Sequence, residues 1–225
     1  EKYLLTATLR VDGSSKFGPN NKYGAFPSLA AAWRISDEAF MKSLGIDAKI
    51  RVNWGVTGNQ EFPPNLTQFR VSYDPNNAAS FPDITPNPNL RWETTRQYGI
   101  GADLGFLDGR LTATIDYFDK NTTDLLFEAL YAQPAPARSR WINLPANVVN
   151  KGVELTLNYD VLPGKDFRWD ISANATFLRN RVTNFGGIYN TGAINGQGLS
   201  GAFAQRIVGD RPLFSFFMPT FTGYS

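Results

Sequence analysis

Along much of the chain, apolar and polar side chains alternate one for one. From Lys151 onward Val153, Leu155, Leu157, Tyr159 and Val161 interleave with Glu154, Thr156, Asn158 and Asp160. After the link Leu162-Pro163-Gly164-Lys165-Asp166 the alternation resumes, with Phe167, Trp169, Ile171, Ala173, Ala175 and Phe177 set against Arg168, Asp170, Ser172, Asn174 and Thr176. A period of two marks a β-strand with one apolar and one polar face. The same pattern predicts strands at 2–11, 25–35, 46–57, 91–106, 110–118, 151–161 and 167–178. Strands of soluble domains run to about five or six residues. Strands of roughly ten residues, apolar on one side and charged on the other, suit a tilted crossing of a lipid bilayer.

The connections sharpen this picture. Long loops at 12–24, 58–90, 119–149 and from 183 onward alternate with short links at 36–45, 107–110 and 163–166. The Pro- and Asn-rich loops 58–90 and 119–149 read as irregular for most of their length. In the short links, Ser36 reads as the cap of a short helix running to Lys42, and Asp108-Gly109 as the centre of a two-residue type I′ turn. Long and short connections in alternation predict an outer-membrane barrel whose short turns face the periplasm. On that orientation Tyr3, Trp33, Phe106, Tyr159, Phe167 and Trp169 form one aromatic band, and Trp54, Trp92, Tyr98, Tyr117 and Phe177 a second. Arg96 is the one charge on the predicted lipid face, at its extracellular margin. The expected fold is all-β, an antiparallel transmembrane β-barrel. A large soluble antiparallel sheet shows the same alternation, but strand length, loop alternation and the two bands favour the membrane.

Composition then removes chemistry. The chain has no His and no Cys, which excludes Ser-His-Asp hydrolysis, histidine bases, thiolate nucleophiles and His- or Cys-ligated metals. A net charge of +2 with no basic cluster gives no footprint for nucleic acid. Gly13, Gly18 and Gly24 do not follow the spacing of a phosphate-binding loop, and Asp74-Pro75-Asn76-Asn77 lacks the acidic density of a calcium loop. The carboxylate pairs Asp103/Asp108 and Asp116/Asp119 have no partner that would make one an acid and the other a base. The sequence therefore predicts no catalytic, cofactor-binding or metal-ligating residues, and no enzyme. No run approaches the roughly 20 apolar residues of a membrane helix. Glu1 to Val11 has neither the basic head nor the apolar run of a signal peptide, and the chain reads as an internal piece.

Alternation also nominates a site. The polar faces direct Asp47, Lys49, Arg51, Asn53, Glu154, Asn158, Arg168, Asp170 and Asn174 to the lumen. There they serve either as a wall along which substrate passes, or as solvated groups and ion-pair partners of a plug. In the loops Asn59, Gln60, Arg140, Trp141 and Asn143 are candidates to contact substrate or a partner, because an indole offers a stacking face and amides offer paired hydrogen bonds. The other reading of these five is packing of the loops themselves.

Several runs also resemble a family. KYLLTATLRVDGSSKFG (2–18), AFPSLAAAWRISDEAFMK (25–42), RVNWGVTGNQ (51–60), NPNLRWETTRQYGIGADLGFLDGRLTATIDYFDKNTTDLL (87–126) and NLPANVVNKGVELTLNYDV (143–161) are similar to SusC/RagA-type TonB-dependent outer-membrane transporters of Bacteroidetes. The segment VGDRPLFSFF (208–217) looks like a poorer version of a further family segment. The resemblance implies a plugged barrel of about 22 strands, of which residues 1–225 are an incomplete fragment without plug or N-terminal domains. It implies energising by TonB-ExbB-ExbD through an N-terminal part, a SusD-like surface lipoprotein as lid, and import of an oligosaccharide or peptide, with membrane lipid around the wall. The function expected is active import of an oligomeric nutrient, a glycan first. The alternative is a non-transporting outer-membrane scaffold or adhesin that binds partners through its loops.

Overall fold

The computed structural model describes residues 1–42, 45–68, 84–130, 137, 139–163, 167–190 and 204–223. The Asp74–Asn77 segment and most of the 163–166 link lie outside these. In chain order the strands are β1 (Tyr3–Gly13), β2 (Tyr23–Arg34), β3 (Asp47–Asn59), β4 (Ile84–Thr85), β5 (Glu93–Phe106), β6 (Leu111–Thr123) and β7 (Leu125–Leu130). They continue with β8 (Ser139–Leu144), β9 (Asn147–Pro163), β10 (Arg168–Thr183), β11 (Ile188–Asn190), β12 (Gln205–Val208) and β13 (Ser215–Phe216). The seven long strands pair as one antiparallel sheet in the order β1-β2-β3-β5-β6-β9-β10. Each is one of the seven that alternation predicts, and the sheet does not close on itself among the described residues.

The strands outrun their predicted bounds at the long-loop end. There β6 reaches Thr123, β9 begins at Asn147 and β10 reaches Thr183. Where the outward side chains turn polar, the two faces no longer differ and the period-two signal fades. The backbone ladder has no such dependence and continues.

Two short links differ from expectation. Residues 36–42 form no α-helix; a 3-10 turn spans Ile35–Asp37, closed by the Glu38 N–H to the Ile35 carbonyl at 2.9 Å. The Ser36 hydroxyl, instead of capping, donates to Asp47 Oδ1 across the link at 2.6 Å. In the 107–110 link the positive φ angles of a type I′ turn fall on Leu107 (54°) and Asp108 (53°), with Gly109 N–H bonded to Phe106 O at 3.1 Å. The turn is thus centred one residue earlier than Asp108-Gly109, while Gly109 takes a further positive φ of 84°. Near the third link β9 carries a bulge. Asp160 pairs with Asp170 and Leu162 with Trp169, so Val161 has no partner and Leu162 takes its place on the outer face. The carbonyls of Asp160 and Val161 are taken by the Arg110 guanidinium at 2.8–3.2 Å.

The apolar face is open. Tyr3, Leu5, Leu9, Trp33, Ile50, Tyr98, Ile100, Tyr117, Leu157, Trp169 and Phe177 are all exposed, as a soluble core would not leave them. Phe106 and Tyr159 are half-buried and belong to neither apolar core. The register adds a depth gradient. One cross-strand row runs Leu29, Trp54, Tyr98, Asp119, Lys151, Arg179, from aliphatic through aromatic to charged. The next row towards the short links runs Ala31, Val52, Ile100, Tyr117, Val153, Phe177, and stays apolar throughout. Rows of a tilted sheet climb across the membrane, so a row that starts in lipid ends in water. Arg96 is therefore not the one charge of this parity: Asp119, Lys151, Arg179 and Arg181 share it beyond the aromatic boundary, with Lys151 paired to Asp119 at 2.8 Å.

The cores lie at the long-loop end, on the polar side. One gathers Phe17, Phe26, Phe62, Leu66, Leu90, Trp92, Leu126 and Trp141. The other gathers Leu125, Phe127, Leu144, Ala146, Val148, Val182 and Ile207. Trp92 is thus not part of the outer aromatic band. It stands just before β5, where the chain has left the ladder, and packs on Phe17 (5.0 Å) and Phe26 (5.4 Å). The 119–149 loop is more regular than expected, since β7 and β8 lie within it and form a small sheet with the two-residue β4.

Candidate functional site

The polar face is organised around Arg51. Its place in β3 is opposite Gly101 of β5, which is in turn opposite Asp116 of β6. With no side chain at Gly101, the guanidinium reaches across: Nε and Nη2 meet Asp103 at 2.8 and 3.0 Å, and Nη2 meets Asp116 at 3.0 and 3.2 Å. A Cβ built on Gly101 would stand 2.1 Å from Asp116 Oδ1 and 2.9 Å from Arg51 Nη2. Thr114 adds a hydroxyl to Asp103 at 3.3 Å. One cation thereby ties three strands, and two carboxylates share its charge.

Around this centre lie the other expected residues. Lys49 stands opposite Asp103 and Asn53 opposite Gly99; Asp47 accepts from Ser36. Asp47 and Lys49, with Arg34 and Asp103, line a hollow of about 230 Å³. Glu154 pairs in register with Asp116. Asn158 bridges neighbours on both sides, accepting from Ser172 at 2.7 Å and donating to Thr112 at 3.3 Å. Arg168 lies 3.5 Å from Asp160 and 4.0 Å from Asp170. Asn174, opposite Thr156, is exposed. The structure thus brings Arg51 together with Asp103 and Asp116, and links Asn158 to its neighbours, while Asn174 and Glu154 stand free of those clusters. Among the described residues no group of three or more Asp or Glu side chains is placed to hold a metal ion.

The loop candidates divide. Trp141 is 8% exposed and stacks obliquely on Phe62 at 6.1 Å, so it packs the mouth. Asn143 acts as a backbone clamp: its amide donates to the carbonyls of Arg91 and Asp124 at 2.8 and 2.9 Å, and accepts from Arg91 N–H at 3.0 Å. Asn59 donates to Glu93 Oε1 at 3.1 Å and accepts from Glu61 N–H at 3.0 Å. Gln60 is exposed. Arg140 is half-buried, and its Nε has no hydrogen-bond partner among the described residues. Glu93 is the residue that sequence reading does not single out here. Its second oxygen accepts from the Leu126 N–H at 3.0 Å, which anchors β7 to the sheet.

The assembled geometry is a polar wall, lipid-facing on its reverse, whose long-loop end carries two apolar plates folded over the polar side. Residues 1–216 match the protein family described as TonB dependent receptor-like, beta-barrel. TonB-dependent receptor SusC of Bacteroides thetaiotaomicron is 35% identical over 198 residues, 83% of this chain and 20% of that protein. TonB-dependent receptor P26 of Formosa agariphila is 32% identical over 231 residues, 99% of this chain and 23% of that protein. Among solved structures, the RagAB peptide importer in its closed-closed state superposes with a TM-score of 0.81 over 96% of this chain and 24% of its own, at 24% identity. That likeness speaks to fold. The chain spans about a fifth of the length of the curated relatives it matches.

Proposed function

The chain belongs to the TonB-dependent receptor β-barrel family, whose strands cross the bacterial outer membrane, and from this premise we propose that it forms part of the wall and mouth of a TonB-dependent importer of an oligomeric nutrient. The observation that carries this reading is the two apolar cores on the polar side of the sheet. They fix the loops over the wall instead of leaving them in solvent, and so build an entrance. In the complete protein TonB-ExbB-ExbD drives the cycle through an N-terminal part, and a SusD-like lipoprotein covers the mouth.

The nutrient is a glycan. On this wall Arg51 is engaged internally by Asp103 and Asp116, and beside the charges Asp47, Lys49, Glu154, Arg168 and Asp170 it presents amides and hydroxyls: Asn53, Asn158, Asn174, Thr112, Thr156 and Ser172. Such groups suit neutral polyhydroxylated ligands, whereas a charged peptide favours uncompensated ions. RagAB is a peptide importer, so the fold also accommodates that class.

The test deletes the complete gene and measures growth and uptake on single oligosaccharides and on defined oligopeptides. Loss confined to an oligosaccharide, restored by the intact gene but not by one lacking the TonB-interacting segment, is the expected result. Loss confined to peptides replaces the substrate class, and no uptake defect together with lost surface adhesion would establish the scaffold.

A further inference from the structure

The apolar face is not uniformly filled. Near its short-link end the rows Tyr3-Trp33-Ile50 and Leu5-Ala31-Val52 lie side by side. Ala31 is the only small side chain of the six, and it sits at the centre of the second row. The result is a depression of about 430 Å³, lined by these six residues together with Leu4 and Ala32, in which Ala31 stands between the five larger side chains. Trp33, Ile50 and Val52, on the paired strands β2 and β3, are 37%, 39% and 43% exposed on this face, and Tyr3 and Leu5 bound the groove from β1, the terminal strand of the sheet.

The end of the groove is held rigid by polar groups. The Tyr3 and Trp33 rings stack at 6.4 Å and 21°. Their polar atoms converge on Glu38 of the neighbouring link, the Tyr3 hydroxyl at 2.8 Å and the Trp33 indole N–H at 3.1 Å to the same carboxylate oxygen. Lys2 completes the set, 2.6 Å from the other oxygen. One carboxylate therefore pins both rings at the interface and keeps the groove's end wall from collapsing over Ala31. It also consumes the donors and the cation that would otherwise address a phosphate.

We propose that this depression is a resident binding site for one acyl chain of a phospholipid in the leaflet on the short-link side of the membrane. The occupant follows from continuity with the lipid-facing surface: an unfilled hollow against hydrocarbon forfeits dispersion contacts on one side, and a flexible methylene chain is the apolar ligand the bilayer supplies there. With Lys2 already neutralised by Glu38, recognition rests on the chain and not on the headgroup. This site is independent of what the barrel imports.

The test uses the full-length protein in vesicles of phosphatidylethanolamine and phosphatidylglycerol, doped with a phosphatidylethanolamine carrying a photoactivatable diazirine in one acyl chain. Peptide mapping should show label concentrated on residues 3–5, 31–33 and 50–52 relative to the rest of the apolar belt. Ala31→Phe, which fills the depression, should reduce that label severalfold, and Val52→Ala, which widens the groove, should retain it. Both variants are checked for barrel formation by heat-modifiable gel mobility. Should Ala31→Phe not assemble, Ala31→Leu gives the same reading with less added volume. Moving the diazirine chain onto phosphatidylglycerol should leave the pattern unchanged. Label spread evenly around the belt, label unaffected by filling Ala31, or label that follows the headgroup would each overturn the proposal, and a change in oligomeric state with Ala31→Phe would reassign the groove to a second protein copy.

Discussion

Gly101 shows how much of the polar wall depends on one missing side chain. Its place in β5 is the space through which Arg51 reaches Asp116, and a β-branched residue there meets the carboxylate directly. Gly101→Val is expected to cost about 1–3 kcal/mol by overpacking, read as a lower urea midpoint in refolding experiments on the complete barrel. The ion pairs themselves contribute less. Arg51 and Asp103 side chains keep 32% and 38% of their exposure, so a double-mutant cycle with Arg51→Gln and Asp103→Asn is expected to yield a coupling of about 0.5–1 kcal/mol. The loss of Gly101 should therefore exceed the loss of the pair it accommodates. At the short-link end the residue of consequence is Glu38. Its carboxyl is held below the usual carboxylate range by the Lys2 ammonium first and the Tyr3 hydroxyl next, with desolvation opposing. Lys2 is raised in turn, chiefly by its hydrogen bond to Glu38. A lowered folded-state carboxyl stabilises fully above its unfolded pKa and ceases to do so as pH falls through the folded value; a raised ammonium stabilises fully below its unfolded pKa and ceases as pH rises through the folded value. The clamp is thus intact across neutral pH. Acid titration followed by near-ultraviolet circular dichroism should show the Tyr3-Trp33 stack loosening below the ordinary carboxylate range in the native protein, and no such step in Glu38→Gln.

At the scale of elements, what was legible was whatever two different solvents impose. Lipid on one side and a polar interior on the other force a period of two, and all seven staves carry it. Register was legible only within hairpins: a turn over 107–110 already places Asp116 opposite Gly101, whereas the long 58–90 connection leaves the phase of β3 against β5 open, and with it the meeting of Arg51 and Asp103. The loops were the least legible. Leu125, Leu126 and Phe127 form an apolar run too short for its period to be read, and all three are buried, split between two cores that only tertiary contact defines. Trp92 misled because its parity continues that of Tyr98 although the strand has already ended at Glu93. The packing role of Trp141 follows from the same contacts. Trp141→Ala should remove about 3–5 kcal/mol of packing from the loop cluster, exposing 125–144 to limited proteolysis while the barrel keeps its heat-modifiable mobility. If cleavage there is no faster than in the native protein, the mouth is not held by this indole.

At the scale of the molecule, tilt connects the residue pattern to the membrane. A row of hydrogen-bonded neighbours in an upright sheet would stay at one depth and keep one chemistry. Here the row from Leu29 to Arg179 changes from aliphatic to aromatic to charged across six strands, and the adjacent row stays apolar to Phe177. The aromatic boundary is therefore diagonal on the sheet and level in the bilayer, as strands inclined at roughly 35–45° require. Depth can be measured directly, because the chain contributes no cysteine of its own. In the full-length protein displayed on intact cells, Asp119→Cys and Arg179→Cys are expected to react with a membrane-impermeant maleimide. Ile115→Cys and Ala173→Cys, on the same parity but nearer the short links, are expected to react only after denaturation. Equal reactivity at Ile115 and Asp119 would place the boundary elsewhere and break the link between row chemistry and tilt. Reactivity at Asp119 without reactivity at Arg179 would mean that the row descends towards Arg179, opposite to the tilt that its change of chemistry implies.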